Sequence, residues 1–315
     1  MQKIRIGISS CLLGEKVRYD GGHKLDRYIT DTLGYYFEWV PVCPEIEYGL
    51  PVPRESMRLI GDPASPRIVT VRTGVDHTEG MIKWAGDKLK QLEKEDLCGF
   101  IFKSKSPSSG IGGIRIYTSS GMPSNKGTGI FGGAFTRYFP LIPVIDDGRL
   151  HNPNLRENFI EWVLVFKRWK EFLKNDTKIR DLIAFHTNVK LLILSHSPKH
   201  YSTLGKLVAQ AKKYQHDGLY SEYARILMEG LRLFATIKKN TNVLLHIAGY
   251  FKKQLTPEDK RELLEVIEQY HKGYIPLIVP MTLINHYVRK FDESYLKDQF
   301  YLNPHPVELM LRNHV

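Results

Sequence analysis

The 315-residue sequence predicts an α/β N-terminal domain on a mostly parallel, Rossmann-like sheet, followed by an all-α C-terminal domain. Three observations predict it. Over the first 150 residues, short β-branched and aromatic runs alternate with helical patterns and are punctuated by Gly and Pro, as in chains of βα units. From about Asn154 apolar residues recur at helical spacing, and no clear strand pattern returns. The length also exceeds the roughly 100–200 residues typical of one domain.

The elements follow in order. IRIGIS (4–9) reads as the first strand, a helix is expected at Leu25–Leu33, and YFEWVPV (36–42) is the second strand. RIVTVR (67–72) is a third, and Thr78–Leu92 is an amphipathic helix. CGFIFK, IRIY and LIPVID complete the strands. These place an α/β domain at 1–150, a connecting helix at 151–176 and a helical domain at 177–315. In the last, KLLILSH, KLVAQAKKY, YARILMEGLRLFATI, NTNVLLHIAGYFKK and PEDKRELLEVIEQYHKG all read as helices. Thr256-Pro257 is a helix start, with Thr as N-cap and Pro at the first helical position.

With 42% apolar and 25% charged residues, the composition is that of an ordinary globular protein. No run of about 18 apolar residues appears, which excludes a predicted membrane span. MQKIRIGISSC is too short and too interrupted for a secretory signal and reads as the first strand, so a cytoplasmic location is expected. Three cysteines make no disulfide framework, and the cytoplasm would keep them reduced. The net charge is +11, and from residue 178 onward 20 Lys and Arg face 13 Asp and Glu. Such an excess suits a polyanion such as RNA, or a solvated helix surface.

The strand ends carry the chemistry. Cys11 closes IRIGISSC, Cys43 closes FEWVPVC and opens Cys43-Pro44-Glu45, and CGFIFK runs into Ser104–Gly110. In open α/β sheets, ligands bind beyond the carboxyl ends of the strands. Two thiols and a serine are therefore expected at one site, as in a thiolate-held metal centre with one oxygen position. Thiolates select soft metals and iron–sulfur clusters, and the nearby Glu45 is placed to move protons. Cys98 begins its strand instead, so it belongs at the opposite edge and reads as packing. The Ser106–Gly113 loop is rich in small residues that let backbone N–H groups approach anions or sulfide. Lys103 and Lys105 precede it, as phosphate contacts or as solvated charges. Tyr19, near the Asp20-Gly21-Gly22 turn, either stacks on a base or packs locally. Arg54 either clamps an anionic or carbonyl group or makes a surface ion pair. His196 and His200 lack the Glu of a His-Glu-x-x-His zinc motif and flank Pro198. No Gly-x-Ser-x-Gly elbow is present.

These motifs carry a resemblance. IGISSCLLGEKVRYDGG, PVCPEIEYGLPVPRE, FKSKSPSSGIG and KGTGIFGGAF resemble the thiouracil desulfidase (TudS) family across most of residues 1–150. HSPKHY and KGYIPLIVPMTLINHYVRKF resemble the YbgA-type helical domain often fused to it. The combination is similar to bacterial desulfidases of 4-thiouridine in transfer RNA. The resemblance implies a 4Fe–4S cluster held by three cysteines, with a fourth iron left open to sulfur. It also implies a non-redox, hydrolytic exchange of C=S for C=O. Cys11 and Cys43 match two cluster ligands, Glu45 the proton-moving carboxylate and Ser106 the active-site serine. The third family cysteine is replaced here by Ser109. Two alternatives accompany this reading: a desulfidase of free thiolated pyrimidines such as thiouracil, and a clusterless RNA-binding protein that has lost catalysis at Ser109.

Overall fold

The computed structural model describes residues 3–117, 123–174, 177–304 and 311–313. They form two compact units, Met1–Asn152 and Pro153–Val315.

In the first unit, β1 (Ile4–Ser9), β2 (Phe37–Val42), β5 (Gly99–Phe102) and β8 (Val144–Asp146) form one parallel sheet in the order β2-β1-β5-β8. The register pairs Ser9 with Val42 and Ile8 with Ile101, so the strands finish at one level and their following loops share an edge. β1 and β5 are near-continuous apolar runs because both faces of the sheet are covered. Helices α2 (Thr78–Glu93) and α3 (Ile130–Tyr138) cover one face, burying Leu89 and Phe135 against Phe100 and Phe102. Phe100 and Phe102 stack with ring centroids 4.0 Å apart. Gly7 is required beneath them, because a Cβ there would lie 2.2 Å from Phe100.

RIVTVR and IRIY are strands, but they belong to a second, mixed sheet. It runs β4-β3-β6-β7, built from β3 (Met57–Asp62), β4 (Ser65–Thr70), β6 (Ile114–Tyr117) and β7 (Pro123–Gly127). β3 and β4 form a hairpin whose turn is set by Asp62, which accepts from Ala64 N–H at 2.9 Å. The helix expected at Leu25–Leu33 is instead a π-helical turn, Tyr28–Thr32, followed by a 3₁₀ turn, Leu33–Tyr35. Asp26 starts it by accepting from Tyr28 N–H, while the Thr30 hydroxyl bonds back to Asp26 C=O, a local competitor of regular helix. Short helices α1 (Pro44–Glu47) and α4 (Asp147–Leu150) follow β2 and β8 directly.

The second unit is helical. It contains α5 (Pro153–Leu173), α6 (Ile179–His196), α7 (Pro198–Ala209), α8 (His216–Leu231), α9 (Ile237–Ala248), α10 (Pro257–His271), α11 (Ile278–Lys290) and α12 (Ser294–Lys297). Of the helix expected at 151–176, residues 153–173 are α5, and 175–176 lie outside the described residues. α5 packs within this unit: Trp162 Nε1 donates to Met228 Sδ at 3.3 Å, and Trp169 stacks on Tyr223 at 5.2 Å. Thr256 caps α10 by accepting from Asp259 N–H at 3.1 Å. Ser197 separates α6 from α7, with Pro198 at the first position of α7. His196 and His200 turn to different partners, Leu233 C=O and the Ser197 hydroxyl.

Candidate metal and active centre

One cavity of about 380 Å³ lies over the carboxyl edge of the parallel sheet. Cys11, Cys43, Glu45, Ser106 and Ser109 line it, as do Tyr19, Arg54, Lys103 and Lys105. The structure thus brings these nine residues, each named from the sequence as a site candidate, to one cavity.

Local chain geometry places each group. Cys11 sits in a 3₁₀ turn, Ser10–Leu13, directly after β1, and its carbonyl accepts from Lys24 N–H at 2.8 Å. Cys43 is the N-cap residue of α1, and its backbone N–H donates to Glu47 Oε1 at 2.9 Å. Neither thiol forms a disulfide, and both are about nine-tenths buried. Burial pushes the Cys11 thiol up to about 11, against the pull of Lys103. Burial and then Glu45 push Cys43 up to about 12. A thiol so placed stays protonated at neutral pH unless a cation binds it. Cys98 is buried at the head of β5, where its thiol donates to Asp96 C=O at 3.7 Å, away from the cavity.

The serine loop is held by α3. Phe131 N–H donates to Ser108 C=O at 2.8 Å and Gly129 N–H to Gly110 C=O at 2.7 Å. A Cβ at Gly129 would lie 2.6 Å from Ser108, and one at Gly132 would lie 2.5 Å from Ser109 C=O. Those two glycines let the helix start press on the loop, which gives KGTGIFGGAF a physical reason.

Within the loop a directed chain of hydrogen bonds leads to Glu45. Ser109 N–H donates to Ser106 Oγ at 3.1 Å, and Ser106 and Ser108 hydroxyls lie 2.9 Å apart. Ser108 donates to Glu45 Oε1 at 2.6 Å, so Ser106 is the donor to Ser108. The other carboxylate oxygen, Oε2, faces the Cys43 thiol at 3.6 Å and Arg54 Nη2 at 3.9 Å. Glu45 is therefore shared between a hydroxyl side and a sulfur side. Ser108, fully buried, was not separable by sequence from its small neighbours.

The cations divide. Lys103 Nζ is bound to Asp147 Oδ2 at 2.7 Å and to Ser104, which occupies the amine within the site. Burial raises the Asp147 carboxyl, but hydrogen bonds from Lys103 and Ser104 outweigh it and hold Asp147 below its ordinary value. Asp147 follows β8, so LIPVID pointed to this edge too. Lys105 is exposed at φ 57°. The Arg54 side chain is 7% exposed, and its backbone N–H donates to Tyr19 C=O at 2.8 Å, tying the two together. The Tyr19 ring is 46% exposed at the mouth, with the Arg18 guanidinium 5.4 Å from its centroid.

The profile of the 2-thiouracil desulfurase family matches residues 6–147, the whole of this site. The chain is 33% identical over 120 residues to uncharacterized protein YbbK of Bacillus subtilis (strain 168), covering 36% of this chain and 78% of that relative. The chain belongs to the 2-thiouracil desulfurase family. Its second unit is a YbgA-type domain: residues 190–306 match the family described as protein of unknown function (DUF1722). Uncharacterized protein YbgA of Escherichia coli (strain K12) is 32% identical over 133 residues, covering 42% of this chain and 79% of YbgA. A solved 4Fe–4S-dependent thiouracil desulfidase, TudS, is 32% identical, covering 47% of this chain and 94% of that one, with a TM-score of 0.39.

In donor chemistry, the two thiols and one hydroxyl lining this desulfurase-family cavity, those of Cys11, Cys43 and Ser109, suit a cluster held through two sulfurs and one oxygen. Among the described residues no three His, Cys, Asp or Glu side chains converge as a metal-ion site. Ser109 is 4% exposed and lines the cavity. Its backbone N–H donates to Ser106 Oγ at 3.1 Å.

Proposed function

We propose that this chain is an iron–sulfur-dependent desulfidase that removes sulfur from thiolated uridine in transfer RNA, with 4-thiouridine as the substrate and uridine as the product. The observation that carries the proposal is Glu45, with one oxygen on a buried serine hydroxyl and the other facing a buried cysteine, in the cavity that Cys11 and Ser109 also line.

Cys11, Cys43 and Ser109 would hold the cluster. When bound, it supplies a thiophilic iron able to take up the departing sulfur. The reaction balances without oxidant or reductant: C=S and water give C=O and hydrogen sulfide. The chain's own residues handle water and protons. Ser106 points its hydroxyl along the chain to Ser108 and Glu45, so a water beside Ser106 can lose its proton along that line to Glu45 Oε1. Oε2 faces the sulfur side, and rotation of the protonated carboxyl would bring the proton-bearing oxygen there, where the leaving sulfur can take the proton. Arg54 steadies the carboxylate between these states. Tyr19, half-exposed at the mouth, offers a face on which a pyrimidine taken out of its stack can lie. The basic surplus of the YbgA-type part supports RNA as the carrier of that pyrimidine.

The test is a competition. Anaerobically reconstituted protein is given thiolated transfer RNA and free 4-thiouracil together, and loss of the thiocarbonyl is followed in each. Preferential turnover of the RNA supports the proposal. Equal or faster turnover of free base makes the free pyrimidine the substrate.

A further inference from the structure

Both backbone polar groups of Cys43 end on one residue. The Cys43 C=O accepts from Glu47 N–H at 3.0 Å, and the Cys43 N–H donates to Glu47 Oε1 at 2.9 Å. The strand ladder stops one residue earlier, where Val42 pairs with Ser9, so the Cys43 N–H needs a partner from outside the sheet. Two carboxylates follow this cysteine, and the fold uses them differently. Glu45 turns to the serine hydroxyls and to sulfur. Glu47 turns back on the main chain of the cysteine.

Glu47 is itself held. Its Oε2 lies 2.8 Å from Lys88 Nζ on α2, and both side chains are partly exposed. An ion pair of that kind adds little to stability by itself. It does set which oxygen serves Cys43, since a carboxylate with Oε2 on Lys88 leaves Oε1 for the Cys43 N–H. α2 meets the same turn a second time, about 12 Å earlier along the helix. There Gly80 makes room for Tyr48, because a Cβ at Gly80 would overlap the Tyr48 hydroxyl. α1 has four residues, too few to be stable alone. Its place, and that of Cys43 at its start, is therefore set from α2.

We infer that Glu47 is a positioning residue of the metal centre: with Lys88 behind it, it fixes the backbone from which Cys43 presents its thiol. The inference rests on the reading that Cys43 holds the cluster. A helix cap serving overall stability alone would treat Cys11 and Cys43 alike, whereas a positioning residue acts on Cys43.

Two variants separate these roles. Glu47→Leu removes the acceptor, and Glu47→Gln removes the charge but keeps an oxygen for the Cys43 N–H. Alkylation of Cys11 and Cys43 by iodoacetamide is followed site by site by mass spectrometry in the full chain without iron. Iron retained after anaerobic reconstitution and the urea midpoint are measured beside it. In Glu47→Leu, Cys43 should react about 10-fold faster, the scale of one lost hydrogen bond to a charged group. Cys11 should keep its rate, and iron retention should fall. Glu47→Gln should stay close to the unaltered chain in both readouts. The inference is overturned by an unchanged Cys43 rate in Glu47→Leu, by an equal rise at both cysteines, by the same rise in both variants, or by unchanged iron retention where the unaltered chain holds iron. If Glu47→Leu does not fold, Lys88→Met decides: a rise confined to Cys43 supports the inference, and an unchanged Cys43 overturns it. An unaltered chain that retains no iron contradicts the cluster reading instead, and the alkylation rates still judge Glu47.

Discussion

Glu45 is the residue on which the desulfidase chemistry turns. Glu45→Gln keeps the shape but removes the proton acceptor, and kcat should fall by roughly 10²–10⁴ with little change in bound iron. Ser108→Ala removes the 2.6 Å bond that fixes Glu45 Oε1, and a smaller loss in kcat, roughly 10-fold, is expected. Serine oxygen is a harder donor than thiolate. Ser109→Cys should therefore raise the iron and acid-labile sulfide retained after anaerobic reconstitution and desalting, whether or not turnover rises. Most of these residues were legible because each follows a strand end, where the direction of the chain alone predicts a shared edge. Ser108 was not, because its importance depends on which way one hydroxyl points among adjacent small residues. Lys103 read as a phosphate contact or a solvated charge for a similar reason: its partner, Asp147, is 44 positions away in sequence.

At the scale of elements, the contact between α3 and the serine loop positions the centre. Gly132→Ala places a methyl 2.5 Å from Ser109 C=O, so the loop must shift. Iron retention should drop, with overpacking costing about 1–3 kcal/mol in denaturant unfolding. Phe102→Ala, under the same helix, should cost about 3–5 kcal/mol. Strong local signals were readable: the β1 run, the α2 pattern, and the Thr256 cap of α10, whose Thr256→Ala loss should be about 1 kcal/mol. The allocation of RIVTVR and IRIY to a second sheet was not readable. Strand propensity does not say which partner a strand pairs with, and β3, which links them, carries a weak apolar pattern broken by Arg58 and Gly61. The turn at Tyr28–Thr32 escaped because hydrogen bonds from Asp26 and Thr30 decide its form.

For the whole molecule, two buried groups in the helical unit give stability opposite pH trends. Burial, then Lys190, lower His186 from 6.5 to about 4, so the unfolded chain binds more protons in that window. The stability from neutral His186 is complete above pH 6.5 and is lost as pH falls toward 4. Glu157 is raised from 4.5 to about 7, so its contribution is complete below pH 4.5 and is lost as pH rises through 7. Between pH 4.5 and 6.5 the two oppose each other. His186→Gln should make the urea midpoint fall with rising pH relative to the parent, and Glu157→Gln should make it rise. If RNA is the carrier, its affinity should also fall steeply with salt, with a log–log slope near −0.7 to −0.9 per phosphate contact. The two-part organisation and the parallel sheet were readable from periodicity, whereas the charged cluster of the helical unit was not, because Glu157, Glu161 and Arg312 meet only through folding. The most direct measurement of the central claim is sulfide released per uridine formed from thiolated transfer RNA, by the same preparation with and without reconstituted iron. The account predicts one sulfide per uridine, and turnover only when iron is present. Uridine formed equally fast without iron, or no sulfide from iron-loaded protein, would contradict it.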